Sequence, residues 1–296
     1  MTTSTRKYGL LVAVDGSAQS DAAVRWAARE ATLRHRPVTL ATVVAPVVVS
    51  WPVGYLESGF VEWQEQNAQE VLEQAKKTFE SAVCDPQPSQ VNTEVMHGGI
   101  VATLASASSD ADMVVVGSRG MGAFGRAVLG STTSGLVLHA HCPVVVLHEG
   151  HEGEAATLDP AAPVVLGIDG SAASEAATAF AFDEASRRGV ELVAVHAWSD
   201  FVLFPDVGTD WRMYEDEGQQ VLGERLAGWH EQYPDVKVQR RIVCDQPARA
   251  LIDESERAQL VVVGSHGRGG FTGMLLGSVG SAVVQGAKCP AIVVRT

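Results

Sequence analysis

The sequence predicts an α/β protein made of two duplicated open parallel sheets, five strands in each. Three observations predict it. The segment LLVAVDGSAQSDAAVRWAAREA (10–31) recurs as VVLGIDGSAASEAATAFAFDEA (164–185). The segment GSRGMGAFGRAVLGSTTSGLVLHAHCPVVVL (117–147) recurs as GSHGRGGFTGMLLGSVGSAVVQGAKCPAIVV (264–294), in the same order. Within each copy, β-branched runs alternate with helical stretches, the pattern of a parallel sheet joined by crossover helices. A period of roughly 150 residues is far longer than a solenoid repeat, so each copy is expected to be a complete fold.

In the first copy the strands are expected at Leu10–Val14, Val38–Val44, Val91–Met96, Met113–Val116 and Val144–Leu147. These runs are mostly apolar on both faces, as strands covered on both sides must be. Between them, Ser20–Arg34, Glu62–Ala82, Ile100–Ser108 and Ser134–His139 read as helices. In the second copy the strands are Val164–Ile168, Glu191–His196, Lys237–Val243, Leu260–Val263 and Ala291–Val294. The stretch 148–162 is polar, carries Gly and Pro, and lacks apolar periodicity. Domain boundaries are therefore expected at 1–149 and 163–296, with a linker over 150–162.

Composition narrows the function. Of 296 residues, 46% are apolar and 19% charged, which excludes a disordered chain. No run approaches the roughly 18 apolar residues of a membrane span. The N-terminal apolar run stops at Asp15, too short for a secretory signal, so a cytoplasmic location is expected. The net charge of −13 repels nucleic acid and anionic lipid. Any phosphate site must then rely on backbone N–H groups or a few placed cations. The four cysteines form no CxxC pair, which argues against a disulfide framework or a zinc site.

In open parallel sheets, ligands bind beyond the carboxyl ends of the strands. Strand 1 is followed there by Asp15-Gly16-Ser17, and in the second copy by Asp169-Gly170-Ser171. The carboxylate suits ribose hydroxyls, while Ser17 and Ser171 read first as helix caps. Strand 4 is followed by Gly117-Ser118-Arg119-Gly120 and then Gly130-Ser131. The second copy has Gly264-Ser265-His266-Gly267 and Gly277-Ser278, giving the spacing G-x-x-G-x9-G-S twice. Glycines allow a close approach of backbone to ligand, and a helix starting at Gly130-Ser131 offers free N–H groups to phosphate. Two decoys fall away. The G-x-G-x-x-G at Gly120–Gly125 follows the fourth strand and has no acidic residue about 20 positions on, which excludes a dinucleotide fingerprint. Arg126-Ala127 stands where a P-loop needs Lys-Ser/Thr.

These residues resemble the universal stress protein family, in its tandem-domain, ATP-binding form. The resemblance covers both halves. It rests on Asp15 and Asp169, on the double glycine motif, and on the closing strands H-C-P-V-V-V and K-C-P-A-I-V-V. It implies a strand order of 3-2-1-4-5 with helices on both faces. It further implies that Asp15 contacts ribose and adenine, that the backbone at Thr42 and Val43 reads adenine, and that Gly117, Gly120, Gly130 and Ser131 wrap the triphosphate. The second copy offers Asp169, Ala194, Gly264, Gly267, Gly277 and Ser278. Arg119, Arg126 and Arg268 are candidate cations for phosphate, and His266 takes the place of Arg119. Ala13, Gly122, Thr132, Gly167, Gly269 and Val279 complete the implied binding set. The implied cofactor is ATP, with or without Mg2+. AMP and ADP share its adenine and ribose contacts.

Other residues carry less. His139, His141, Cys142 and His148 resemble a metal cluster on paper, but the second copy does not repeat it. His196 ends strand 2 of the second copy opposite Val44 and reads as a rim residue. Aromatic residues gather after strand 2, at Trp51, Tyr55, Phe60 and Trp63 and again at Trp198, Phe201, Phe204 and Trp211, as a lid, a partner surface or packing over helix 2. Strand 5 of each copy is an apolar sheet edge, which predicts pairing within the chain or between two chains. No nucleophile–base pair is evident. The expected function is an ATP-binding stress-response regulator that signals to an unidentified protein partner through nucleotide-dependent conformation. The alternative is a slow ATP-hydrolysing or adenylating enzyme on a related fold.

Overall fold

A computed structural model of the chain describes residues 6–46, 57–83, 90–120, 129–148, 159–198, 211–244, 246–267 and 276–295. The chain divides into two compact units, Met1–Glu149 and Gly150–Thr296.

In the first unit the strands are β1 (Gly9–Ala13), β2 (Val38–Val44), β3 (Val91–His97), β4 (Ala111–Gly117) and β5 (Val144–Leu147). All pair in parallel, in the order β3-β2-β1-β4-β5. The helices are α1 (Ala18–Arg34), α2 (Glu57–Ala82), α3 (Ile100–Ala107) and α4 (Ser131–His139). The helices α1 and α2 pack together, as do α3 and α4, so the sheet is covered in two pairs. The central strands are buried along most of their length: Leu10, Leu11, Val12, Val114 and Val115 expose no surface. An alanine-rich stripe on α1, including Ala23, Ala27, Ala28 and Ala31, lets the helix lie close to the sheet.

The second unit repeats this plan. Its strands are β6 (Val164–Gly167), β7 (Leu192–Trp198), β8 (Val238–Cys244), β9 (Leu260–Gly264) and β10 (Ala291–Val294). They are parallel in the order β8-β7-β6-β9-β10, which is 3-2-1-4-5 within the copy. Its helices are α5 (Ala172–Arg188), α6 (Trp211–Leu226), the single turn α7 (Trp229–Gln232), α8 (Pro247–Ser255) and α9 (Ser278–Gly286).

Each first helix ends on a left-handed residue, His35 (φ 50°) in α1 and Gly189 (φ 63°) in α5. That residue's N–H closes back on the last turn, a common helix stop. Each first helix also carries a part-buried ion pair, in which the buried Glu30 meets Arg34 and the buried Glu184 meets Arg188.

Several element boundaries differ from expectation. α2 begins at Glu57 instead of Glu62, because a nucleated helix extends readily through residues that carry no apolar period. Phe60 and Trp63 therefore lie on this helix, exposed, with ring centroids 5.6 Å apart. α4 begins at Ser131 instead of Ser134. β7 runs on to Trp198, so His196 lies inside the strand. Trp51, Tyr55, Phe201 and Phe204 lie outside the described residues, as does most of the expected linker. Its end is tied to the second unit, where the Gln259 amide donates to the Ala162 carbonyl at 2.6 Å.

Candidate functional site

The winding direction of each sheet reverses at its first strand, which opens a crevice beyond the carboxyl ends of the strands there. In the first unit that crevice is a cavity of about 480 Å³, within the range of small-molecule sites. Three strand ends and three helices build it. The end of β1 contributes Ala13 and Asp15, β2 contributes Thr42 and Val43, and the loop after β4 contributes Gly117, Arg119 and Gly120. Gly130, Ser131 and Thr132 close it at the start of α4. Ile100 and Leu104 of α3, with Val116 and Leu129, form an apolar wall. Among the described lining residues, Asp15 is the one carboxylate and Arg119 the one cation.

The Asp15-Gly16-Ser17 turn is set by Gly16 at φ 81°, a backbone conformation that favours glycine. Ser17 then does two things. Its Oγ accepts from the Ser20 N–H at 3.2 Å and so caps α1. Its N–H and Oγ both donate to Asp15 Oδ1, at 3.0 and 2.6 Å. In the second unit Gly170 (φ 80°) makes the same turn, and Ser171 caps α5 through Ser174. There the Ser171 N–H donates to Asp169 Oδ1 at 2.9 Å, while its hydroxyl donates to the His266 carbonyl at 3.4 Å. The cap reading of both serines holds.

The glycine loop is closed at its neck. The Gly130 N–H donates to the Ser118 carbonyl at 2.8 Å, and Gly277 to Ser265 at 2.8 Å. The eleven-residue excursion between Ser118 and Gly130 thus returns to the strand end it left, and its first and last glycines share one cradle. Helix α4 is pinned there by Thr133, whose Oγ1 donates to the Gly117 carbonyl at 2.6 Å. The N-caps of α4 and α9 are Gly130 and Gly277, which provide no side-chain cap. Unlike α1 and α5, these two helices leave their first-turn N–H groups available to an anion, where the helix dipole also favours negative charge.

The register of β2 sorts the candidates on that strand. The Val14 N–H donates to the Ala41 carbonyl, so Ala41 faces β1, while the Val44 carbonyl accepts from Gly98 on the β3 side. Backbone groups alternate in direction along a strand, so the N–H and C=O of Val43 point into the crevice past the end of β1. In the second unit the Ile168 N–H donates to Val195. Val195 is therefore the counterpart of Ala41, and His196 and Ala197 are the counterparts of Thr42 and Val43.

This corrects the expectation at Ala194. That residue pairs with Leu166, as Leu40 pairs with Val12, and it is buried one step inside the strand. The sequence could not supply this, because an apolar strand carries no internal mark of register. His196 is likewise no rim residue. It is 7% exposed, and its Nδ1 lies 2.7 Å from the Ile168 carbonyl. A carbonyl only accepts, so Nδ1 carries the proton.

The remaining candidates follow the repeat. Gly264 and Gly267 stand at the end of β9, and Gly277 at the start of α9 with Ser278 and Val279 as its first residues. Gly167 takes the place of Ala13 at the end of β6. His266 replaces Arg119, and its Nδ1 lies 2.9 Å from Ser265 Oγ. Gly122, Arg126, Arg268 and Gly269 lie outside the described residues. Ser20, Ile100, Leu104 and Thr133 line the cavity and were not expected. Helical spacing marks them as packing residues, and only the fold brings them to the crevice. Among the described residues no group of three or more His, Cys, Asp or Glu is placed to hold a metal ion. No described helix is long and apolar enough to cross a membrane.

Comparison with known proteins agrees with this architecture. The family model described as "Universal stress protein family" matches residues 9–148 and again 161–295. A universal stress protein of Mycolicibacterium smegmatis is 55% identical, covering 100% of this chain and 99% of the relative. One from Mycobacterium tuberculosis is 48% identical, over 100% of this chain and 99% of its own. Among solved structures, a universal stress protein from Archaeoglobus fulgidus superposes with a TM-score of 0.70 at 20% identity, covering 97% of this chain and 98% of that one, a likeness of fold. Duplicated sheet, paired glycine loops and full-length relatives lead to one conclusion: the chain belongs to the universal stress protein family.

Proposed function

We propose that this protein is an ATP-binding regulator with one nucleotide site in each unit. The observation that carries the reading is the pair of glycine-capped helices, α4 and α9, each opening at the mouth of a closed glycine loop. The donor set suits a triphosphate. Gly130, Ser131 and Thr132 line the cavity at the start of α4, where first-turn N–H groups would meet phosphate, Arg119 adds one cation, and Asp15 would take the ribose. The backbone of Val43 suits an adenine edge, with Ile100 and Leu104 as an apolar floor. With a single carboxylate among the described lining residues, Mg2+ would arrive on the triphosphate, keeping its waters, instead of being held in a protein cage.

The same lining supports a binding role over a catalytic one. Among the described lining residues no second carboxylate stands by to activate water, so hydrolysis would be slow and incidental. We place the protein in the cytoplasm. We also take the apolar strand that ends each sheet as a pairing surface, within the chain or between two chains. Sedimentation velocity separates those outcomes, since only the second gives a dimer mass.

The central test is direct. Purified protein is denatured, and released nucleotide is counted by chromatography. Two ATP per chain supports both sites. One shows that the copies have diverged, and Gly130→Val against Gly277→Val identifies the active one. No nucleotide, with no Mg-ATP uptake by calorimetry, refutes the proposal.

A further inference from the structure

The glycines of the loop are glycine for different reasons. A Cβ on Gly117 would meet the backbone carbonyl carbon of Gln19 at 2.8 Å. On Gly130 it would meet nothing closer than 3.4 Å, the Arg119 Cα. On Gly120 it would lie 2.3 Å from Asp15 Oδ2 and 3.5 Å from the carboxyl carbon. Real Cβ atoms essentially never come within 3.0 Å of another heavy atom. The second unit repeats this independently, with the Cβ position of Gly267 2.6 Å from Asp169 Oδ2. In each unit the strand-1 carboxylate occupies the space that a side chain at this glycine would take. Its other oxygen is held by the Ser17 N–H and hydroxyl, or by the Ser171 N–H.

We propose that Gly120 and Gly267 are positioning residues that act through the aspartates: their missing side chain is the seat of the strand-1 carboxylate, not a passage for phosphate. The carboxylate is clamped between the Asp-Gly-Ser turn on one side and the glycine backbone on the other. Its direction into the crevice is thereby set before any ligand arrives. A methyl at Gly120 displaces the end of a side chain, not a backbone. The fold therefore tolerates it, while the carboxylate leaves its place. The effect on affinity rests on the nucleotide reading above; the seat itself does not.

The test uses the full-length chain with its second site blocked by Gly277→Val. Gly120→Ala, Asp15→Ala and the double variant are compared in two measurements. In ligand-free protein with 13C-labelled aspartate, the Asp15 carboxyl resonance is assigned by its loss in Asp15→Ala. It shifts in Gly120→Ala and stays in place in Gly130→Ala. By calorimetry with Mg-ATP, Gly120→Ala weakens binding about tenfold when Asp15 is present, the loss of one charge-assisted contact. It has less than a twofold effect when Asp15 is already alanine. An unmoved resonance overturns the proposal. So does an equal loss in both backgrounds, which would mean that the methyl obstructs phosphate directly. If the parent chain does not bind Mg-ATP, the nucleotide reading fails, and the resonance alone still decides the seat.

Discussion

Gly117→Ala tests the packing of the site most severely. The Cβ of an alanine would lie 2.7 Å from Gln19 Cβ, 2.8 Å from its carbonyl carbon and 2.9 Å from its carbonyl oxygen. These atoms belong to the first turn of α1, which Ser17 caps and the sheet supports, so relief requires the helix start to move by about 1 Å. The φ of Gly117 lies outside the left-handed region, so the cost is steric and not conformational. Overpacking of this kind costs about 1–3 kcal/mol, and a backbone obstacle places Gly117→Ala near the top, at about 2–3 kcal/mol. For a unit of this size, that lowers the unfolding midpoint by about 4–12 °C. Gly264→Ala meets the carbonyl oxygen and carbon of Ala173 at 2.8 and 2.9 Å and should behave alike. The assay is thermal and urea unfolding in nucleotide-free protein, with Gly130→Ala as the comparison. Gly130→Ala should unfold within about 0.5 kcal/mol of the parent chain, as substitutions away from tight contacts do. A Gly117→Ala variant that unfolds like the parent would refute this reasoning and leave ligand approach as the sole reason for the glycine. The practical consequence is that lost binding in Gly117→Ala does not by itself report a phosphate contact.

Three further outcomes are expected. Ser17→Ala removes both the α1 cap and a donor to Asp15, and should cost about 1 kcal/mol in urea unfolding, typical of a lost N-cap. Glu30→Ala removes the buried carboxylate that pairs with the part-buried Arg34 and should cost about 1–3 kcal/mol, whereas an exposed pair such as Arg249–Asp253 should contribute about 0–1 kcal/mol. Burial pushes the Cys142 and Cys289 thiols up to about 12. In a Cys84→Ser/Cys244→Ser background, they should therefore resist a thiol reagent at pH 8 until the chain unfolds. Because the folded state holds these protons more tightly than the unfolded one, stability from this source is full below pH about 9 and falls as pH rises towards 12. Labelling of the native protein at pH 8 would count against this burial.

The repeat and the apolar runs made the architecture legible, because strands buried on both faces leave continuous β-branched stretches that a single sequence displays. The G-x-x-G-x9-G-S spacing was legible for a related reason: backbone that must pass close to something has no substitute for glycine. What each glycine approaches was not legible. Gly117 accommodates the backbone of α1, Gly120 a carboxylate, and Gly130 only ordinary contacts with the loop backbone, at 3.4 Å and beyond. The start of α2 was missed because residues 59–63 are exposed and carry no periodic signal.

Sequence by itself determined the α/β class, the duplication, the strand-end aspartates and the glycine loops, since each depends on local residue chemistry and short spacing. Tertiary structure decided register and convergence. It set Ala194 one step inside its strand, buried His196 against the Ile168 carbonyl, and brought α3 across to wall the cavity of the first unit. Register is a property of two strands together, and a cavity is a property of several elements. Neither is encoded in the neighbourhood of any one residue, so neither can be read before the chain is folded.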